Sequence, residues 1–337
     1  MKKILIVGPA WVGDMVMAQT LFITLKQQQP DCVIDVLAPG WSQAILARMP
    51  EVRRALIMPL GHGDFQLKQR YQFAKTLRDE QYDHAFVLPN SWKSALIPFF
   101  ARIPQRTGWR GEMRFGLLND SRKLDKQRYP LMIERFIALA YPEQTLLPQP
   151  LPKPALLCNT ENLHKTLAEF NIAQDQPILI LAPGAEFGPA KQWPAKHYAA
   201  STQHYLRLGW QVWILGSGKD SAIANEIQQY CQHRCIDLTG KTNLGQAVDL
   251  LAQANLVISN DSGLMHIACA TGRPTVVVYG SSSPRFTPPL ADKVRIATLD
   301  LECSPCFQRV CPLGHTNCLQ QLQPTQVLRS AAELVHS

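Results

Sequence analysis

Four short stretches of this 337-residue chain combine residue types that bind or activate a charged ligand. The first, Pro9-Ala10-Trp11-Val12-Gly13-Asp14, follows an apolar run and leads into a helical stretch through Lys26. Asp14 at a helix start reads either as a plain cap for the first amides or as a general base for an incoming hydroxyl. A GxGxxG fingerprint is absent, which argues against a dinucleotide turn here. The second stretch, Gly184-Ala185-Glu186-Phe187-Gly188-Pro189-Ala190-Lys191, is a loop ordered by glycine and proline with one lysine. Lys191 suits a point charge aimed at phosphate and equally a solvated loop lysine.

The third is Asn260-Asp261-Ser262-Gly263, followed one turn later by His266. Asp261 and Ser262 are good N-caps, Gly263 permits close backbone approach, and the helix that follows presents amide N–H groups and a partial positive charge. A diphosphate or a set of sugar hydroxyls fits such a turn. His266 reads as a ligand contact or as a satisfied structural histidine. The fourth, Arg106-Thr107-Gly108-Trp109-Arg110-Gly111-Glu112-Met113-Arg114, reads as a mobile basic loop that clamps phosphates bidentately.

The tail carries Cys303, Cys306, Cys311 and Cys318 in a C-x2-C-x4-C-x6-C set with His315 between them. Four such thiols are compatible with a tetrahedral structural zinc site; an iron–sulfur cluster and free thiols are the alternatives.

The elements that must position these residues follow one pattern. Continuous apolar runs at 4–8, 33–39, 55–60 and 84–90, then at 178–184, 210–218, 235–240, 256–260 and 275–280, alternate with amphipathic stretches. Runs buried on both faces suit parallel strands covered by helices. The proline-rich LLPQPLPKPALL at 146–157 separates the two blocks. The expected fold is therefore α/β, with two doubly wound Rossmann-like domains over 1–155 and 156–320 facing a central cleft, and a C-terminal helix over 321–337. Ligands in such sheets bind beyond the carboxyl ends of the strands, where all four stretches fall.

Charge is distributed unevenly. Residues 1–155 contain 21 Lys+Arg and 13 Asp+Glu, a balance of +8, whereas 156–337 contain 13 of each. A one-sided basic field points to an anionic partner such as a phosphorylated ligand, a membrane surface or nucleic acid. No nucleic-acid-binding motif is present, so nucleic acid is not the expected partner. The N-terminal apolar run is shorter than a signal h-region and no run approaches a membrane span, so a cytoplasmic protein with reduced cysteines is expected.

The stretches GPAWVGDMVMAQ, PGAEFGPAKQWP and NDSGLMHIA, in that order across almost the whole chain, resemble the bacterial heptosyltransferases of glycosyltransferase family 9. The resemblance implies a GT-B fold and inverting transfer of L-glycero-D-manno-heptose from ADP-heptose. The acceptor it implies is the first heptose of the lipopolysaccharide inner core, Hep-Kdo2-lipid A. It also implies Asp14 as catalytic base, Lys191 as a contact to the donor phosphates, and Asp261, Ser262, Gly263 and His266 as the donor-binding motif. Glu186 and, for adenine and ribose, Gly216, Ser217 and Leu238-Thr239-Gly240-Lys241-Thr242 complete the expected donor side. Trp11, Arg106, Trp109, Arg110 and Arg114 form the expected acceptor side. No cofactor is required for catalysis on this reading, and the cysteine cluster is structural. Peripheral attachment to the inner face of the inner membrane by charge is expected. The competing readings are another nucleotide-sugar transferase, transfer to Kdo2-lipid A, and a non-catalytic protein that binds ADP-sugar or anionic lipid.

Overall fold

The strands are all parallel, and most of those built on apolar runs are buried on both faces. In the computed structural model, which describes residues 1–61 and 63–335, the first six are β1 Lys3–Val7, β2 Val33–Ala38, β3 Val52–Ile57, β4 His84–Val87, β5 Gln105–Trp109 and β6 Asp120–Arg122. The second six are β7 Ile178–Ala182, β8 Gln211–Ile214, β9 Ile236–Asp237, β10 Leu256–Asn260, β11 Thr275–Val278 and β12 Val294–Ala297. They build two sheets, ordered β3-β2-β1-β4-β5-β6 and β12-β11-β10-β7-β8-β9. Both have the doubly wound order, read from opposite edges. The chain divides into compact units at Met1–Pro154 and Ala155–Ser337, within the proline-rich stretch, where every X-Pro bond disfavours helix.

Doubly wound sheets have a topological switch point, where successive crossovers leave in opposite directions and open a crevice. In the first unit it lies between the paired strands β1 and β4. In the second it lies between β7 and β10. Asp14 follows β1, Lys191 follows β7, and Asp261 to Gly263 follow β10, so the topology delivers these motifs to the switch points.

Strands β5, β6 and β12 are absent from the sequence reading because their sequences, QRTGW, DSR and VRIA, carry no continuous apolar run. Polar side chains join β4, β5 and β6 instead. His84 Nε2 lies 2.8 Å from Thr107 Oγ1, which donates to Asp120 at 2.7 Å, and Asp120 pairs with Arg122 at 2.6 Å. Burial pushes the His84 imidazole down to about 3, so it is neutral in this chain of contacts.

The tail helix Pro324–Val335 is part of the second unit, not an appendage. Val327, Ala331 and Leu334 join the core beside Trp193 and β11. The indole of Trp193 donates to Leu322 O at 3.0 Å, which anchors the chain just before that helix. Residues 336 and 337 of the expected 321–337 helix lie outside the described residues. Among the described residues no helix is long and apolar enough to cross a membrane.

Candidate active site

The loop after β7 is held by one residue of β10. Asn260 is fully buried and donates through Nδ2 to Pro183 O at 2.6 Å and Gly184 O at 3.3 Å. Its Oδ1 accepts from Trp193 N and from Tyr198 OH, each at 3.0 Å. All of that hydrogen-bonding capacity at the end of an apolar strand fixes the loop that carries Lys191. A buried amide is costly unless satisfied, and here every atom of it is used.

On that scaffold Lys191 Nζ meets Asp261 Oδ2 at 2.5 Å. The lysine side chain is 17% exposed and the carboxylate 5%, so the pair is shielded but opens to solvent on the lysine side. The Phe187 ring lies 5.0 Å from Lys191 Nζ and 5.3 Å from the Arg309 guanidinium carbon, a second electrostatic restraint on both cations. An ammonium has three donors, and Asp261 takes one.

The next helix, Gly263–Ala270, is capped by Ser262, whose Oγ accepts from Met265 N at 3.4 Å. Asp261 is therefore not the cap expected for it: its carboxylate is committed to Lys191. His266, one turn in, is buried beside both. Desolvation pulls its imidazole down to about 4, with Asp261 opposing and Lys191 reinforcing the shift. A neutral imidazole, a fixed ammonium and the N-terminal amides of a helix together favour a doubly charged, oxygen-rich anion such as a diphosphate.

The ends of β8 and β9 meet beside this group. Gly240 N donates to Gly216 O at 2.9 Å, and Ser217 N and Oγ both donate to Asp220 Oδ2 at 2.8 Å. A Cβ on Gly184 would come within 2.6 Å of the Asp220 carboxylate, and one on Gly240, where φ is +71°, within 2.9 Å of Gly218 Cα. The ends of β7 and β8 thus converge on Asp220, a residue with no expected role in the sequence. Thr239 Oγ1 is buried with no hydrogen-bond partner, as are Ser281 Oγ and Ser282 Oγ after β11. The signal for the two serines was the run Ser281-Ser282-Ser283 at a strand end. Glu186 pairs with Lys219 at 2.5 Å and so links the loops after β7 and β8 at the surface. Lys241 donates to Asp237 O at 2.7 Å, which turns its ammonium to the backbone.

In the first unit, Trp11 occupies the cap position of the helix Val12–Gln28 with no side-chain cap bond, and the residue is 48% exposed. Asp14 lies inside the first turn, partly buried, and is not the N-cap. The N-terminal turn of that helix places Asp14 just beyond the carboxyl end of β1.

The stretch 106–114 is not a mobile loop. Gln105–Trp109 is strand β5, and most of its cations are spent on carbonyls. Arg106 donates to Leu117 O and Ile103 O. Arg114, only 2% exposed, donates to Pro89 O at 2.6 Å and to Trp109 O, and burial pulls it down to about 10. The Trp109 indole is buried and donates to Arg135 O at 2.9 Å. These three residues shape the ends of β4 and β5; Arg110 is the exposed cation of the set.

Cys303, Cys306, Cys311 and Cys318 line one cavity together with Ala190, Ser281, His315 and Thr316. Backbone amides of Thr316, Leu313, Gly314 and His315 point at the Cys311 sulfur and hold that thiol below its ordinary value. Among the described residues no group of three or more His, Cys, Asp or Glu side chains is arranged to hold a metal ion as it stands.

Residues 70–317 match the model of glycosyltransferase family 9, described as heptosyltransferase. The chain belongs to glycosyltransferase family 9. This family 9 chain is 47% identical to the lipopolysaccharide heptosyltransferase 2 of Salmonella typhimurium over 99% of its own length and 98% of that protein's. It is 50% identical to the protein of the same name from Escherichia coli over 88% of each chain. A solved structure described as Escherichia coli ADP-heptose lps heptosyltransferase II superposes with a TM-score of 0.89 at 44% identity, covering 100% of this chain and 99% of the other. The family 9 chain is a glycosyltransferase of GT-B type, as the resemblance of its motifs implied.

Proposed function

We propose that this family 9 glycosyltransferase moves L-glycero-D-manno-heptose from ADP-heptose to the first heptose of the lipopolysaccharide inner core. The Lys191–Asp261 pair at the β7/β10 switch point carries the reading, because it presents one fixed cation beside a helix N-terminus where a nucleotide diphosphate would bind. The similarity to heptosyltransferases named for the second addition supports that acceptor over Kdo2-lipid A and over a binding role without chemistry.

The chemistry follows from these groups. Asp14 accepts the proton of the acceptor hydroxyl as that oxygen attacks the anomeric carbon from the face opposite the diphosphate, which inverts configuration. Positive charge develops at the sugar ring, and negative charge at the departing ADP. Lys191 and the amides of Ser262 and Gly263 meet that negative charge without reorganising, because Asp261 already holds the ammonium in place. Neutral His266 supplies one donor and one acceptor to the same ligand without adding charge. Adenine and ribose lie against Gly216, Ser217, Thr239 and Gly240 at the carboxyl ends of β8 and β9. A lysine and a helix terminus replace the divalent ion that other nucleotide-sugar enzymes place on the diphosphate, so no cofactor is needed for transfer.

On the acceptor side, Trp11 and Arg110 are the exposed members of the expected set. The +8 balance of residues 1–155 supports recognition of phosphorylated lipid A and Kdo groups at the inner face of the inner membrane, with attachment by charge.

The deciding experiment supplies ADP-heptose with Hep-Kdo2-lipid A or with Kdo2-lipid A and reads the products by mass spectrometry. One added heptose on the heptose-bearing acceptor only is the expected result. Product only from Kdo2-lipid A assigns the earlier addition, and no product from either removes the reading.

A further inference from the structure

We propose that Cys303, Cys306, Cys311 and Cys318 bind one thiophilic metal ion, zinc by preference, and that this ion clamps the loop carrying Lys191 to the body of the second unit.

The four thiols come from one segment and line one cavity. Their chain spacing, C-x2-C followed by two further cysteines, gives four soft donors and no competing carboxylate, a set that selects zinc or iron over magnesium or calcium. His315 lines the same cavity, but its Nδ1 accepts from Asn317 N at 3.0 Å, which leaves the thiols as the ligand set. Independently, Ser281 is 1% exposed and its Oγ, on the cavity wall, has no partner. A metal-bound thiolate would accept that hydrogen bond, so the ion accounts for a buried hydroxyl that is otherwise unsatisfied.

The segment needs such a clamp. Residues 301–316 form no helix or strand, and Phe307, Val310 and Leu313 turn more than half of their surface to solvent. Little apolar burial therefore holds it. Yet it is what the donor loop rests on. Arg309 O accepts from Ala190 N at 3.1 Å, one residue before Lys191, and a Cβ on Gly188 would come within 2.4 Å of the same oxygen. On the other side Ser304 Oγ donates to Gly280 O at 2.7 Å and Phe307 N to Ser281 O at 2.6 Å. One ion at the four sulfurs would brace both the loop after β7 and the loop after β11.

Binding is a proton exchange without redox change: each thiol releases its proton to solvent as its sulfur bonds to the ion. The thiols surround the cavity without a coordinating arrangement, so binding draws them inward, which an irregular segment allows. The second half of the proposal rests on the donor assignment to Lys191; the first half does not.

The test uses the full chain purified under reducing conditions without chelator. Elemental analysis is expected to find about one zinc or iron per chain, the stoichiometry of a single four-thiolate site. Cobalt added to the reduced, metal-free chain should give the intense visible absorption of a tetrahedral cobalt thiolate. Both signals should vanish in Cys306→Ser/Cys311→Ser, while the cobalt titration of the unaltered chain keeps the test open if that variant misfolds. A chain that neither holds stoichiometric metal nor develops the cobalt band overturns the site, as does undiminished metal in the variant. For the clamp, metal removal should weaken ADP binding roughly tenfold, in the range for supports one step removed from a site. Unchanged ADP binding after verified metal loss overturns the clamp and leaves the metal site standing. A chain that holds the metal but never binds ADP refutes the donor assignment instead.

Discussion

Lys191 and Asp261, seventy residues apart in the chain, meet at 2.5 Å beyond the carboxyl ends of the two strands that flank the switch point of the second sheet. The contact explains why an otherwise solvated lysine has one position. It also makes the pair the place where a substitution should separate binding from folding.

Lys191→Met should lower kcat/KM for the donor about 10²- to 10³-fold, the usual loss when one preorganised partner of a developing charge is removed. Because Asp261 then stands buried without its cation, thermal stability should fall as well. Lys191→Met/Asp261→Asn should recover the stability and not the rate. Steady-state kinetics with melting curves on the three variants check both; recovery of the rate would mean that the lysine serves the fold alone.

Asp14→Asn should keep ADP-heptose affinity and lose more than about a hundredfold in turnover, as general-base removal commonly does. Donor titration beside single-turnover kinetics separates the two quantities. Lost affinity with the turnover of bound substrate unchanged would make Asp14 a structural residue.

The arginines of 106–114 should behave oppositely. Arg110→Ala, at an exposed position, should raise the acceptor KM several-fold and flatten its salt dependence, because a surface cation acts through a screened field. Arg114→Ala should instead destabilise the fold by about 2–4 kcal/mol, the cost of leaving buried carbonyl partners unpaired. Equal effects of the two on acceptor KM, with no loss of stability, would restore both to the acceptor site.

His84 is buried and neutral, with its imidazole pushed down to about 3 from an ordinary 6.5. The unfolded chain therefore binds more protons than the folded one between those values, and stability must fall as pH drops below about 6.5. Near pH 5 the term is about 2 kcal/mol. His84→Gln keeps a polar partner for Thr107 and removes the titration, so its denaturation midpoint should change less between pH 7 and 5 than that of the unaltered chain. Parallel slopes would refute the burial argument.

Transfer measured without added Mg²⁺ should stay within about twofold of the rate at millimolar Mg²⁺, since the lysine and helix amides take the place of a metal at the diphosphate. A strict Mg²⁺ requirement would overturn that assignment.

Much of this molecule is legible in its sequence because parallel strands covered on both faces have to be continuous apolar runs. ILIV, VIDVLA, ILILA and LVISN announce themselves, and the prolines of 148–154 mark the boundary between units. With the strands known, the motifs that follow them fall at carboxyl ends, so Asp14, Lys191 and Ser262 were accessible from order alone. Strands β5, β6 and β12 were not. The pairing of β5 and β6 is sustained by the His84–Thr107–Asp120–Arg122 contacts, and β12 is held by β11 and by the Arg295–Glu333 pair to the tail helix, none of which local periodicity encodes.

The same division holds within the site. Sequence determined which residue types stand at each strand end; only the tertiary structure decided which of them spend their charge on the protein itself. Arg106 and Arg114 look like ligand clamps in one dimension and are bonded to carbonyls in three. Asn260, at the head of the expected donor turn, is the tie that holds the Lys191 loop. The physical reason is that hydrogen bonds and ion pairs are satisfied by proximity in space. Proximity between residues 191 and 261, or 190 and 309, is created by sheet order and not by chain order.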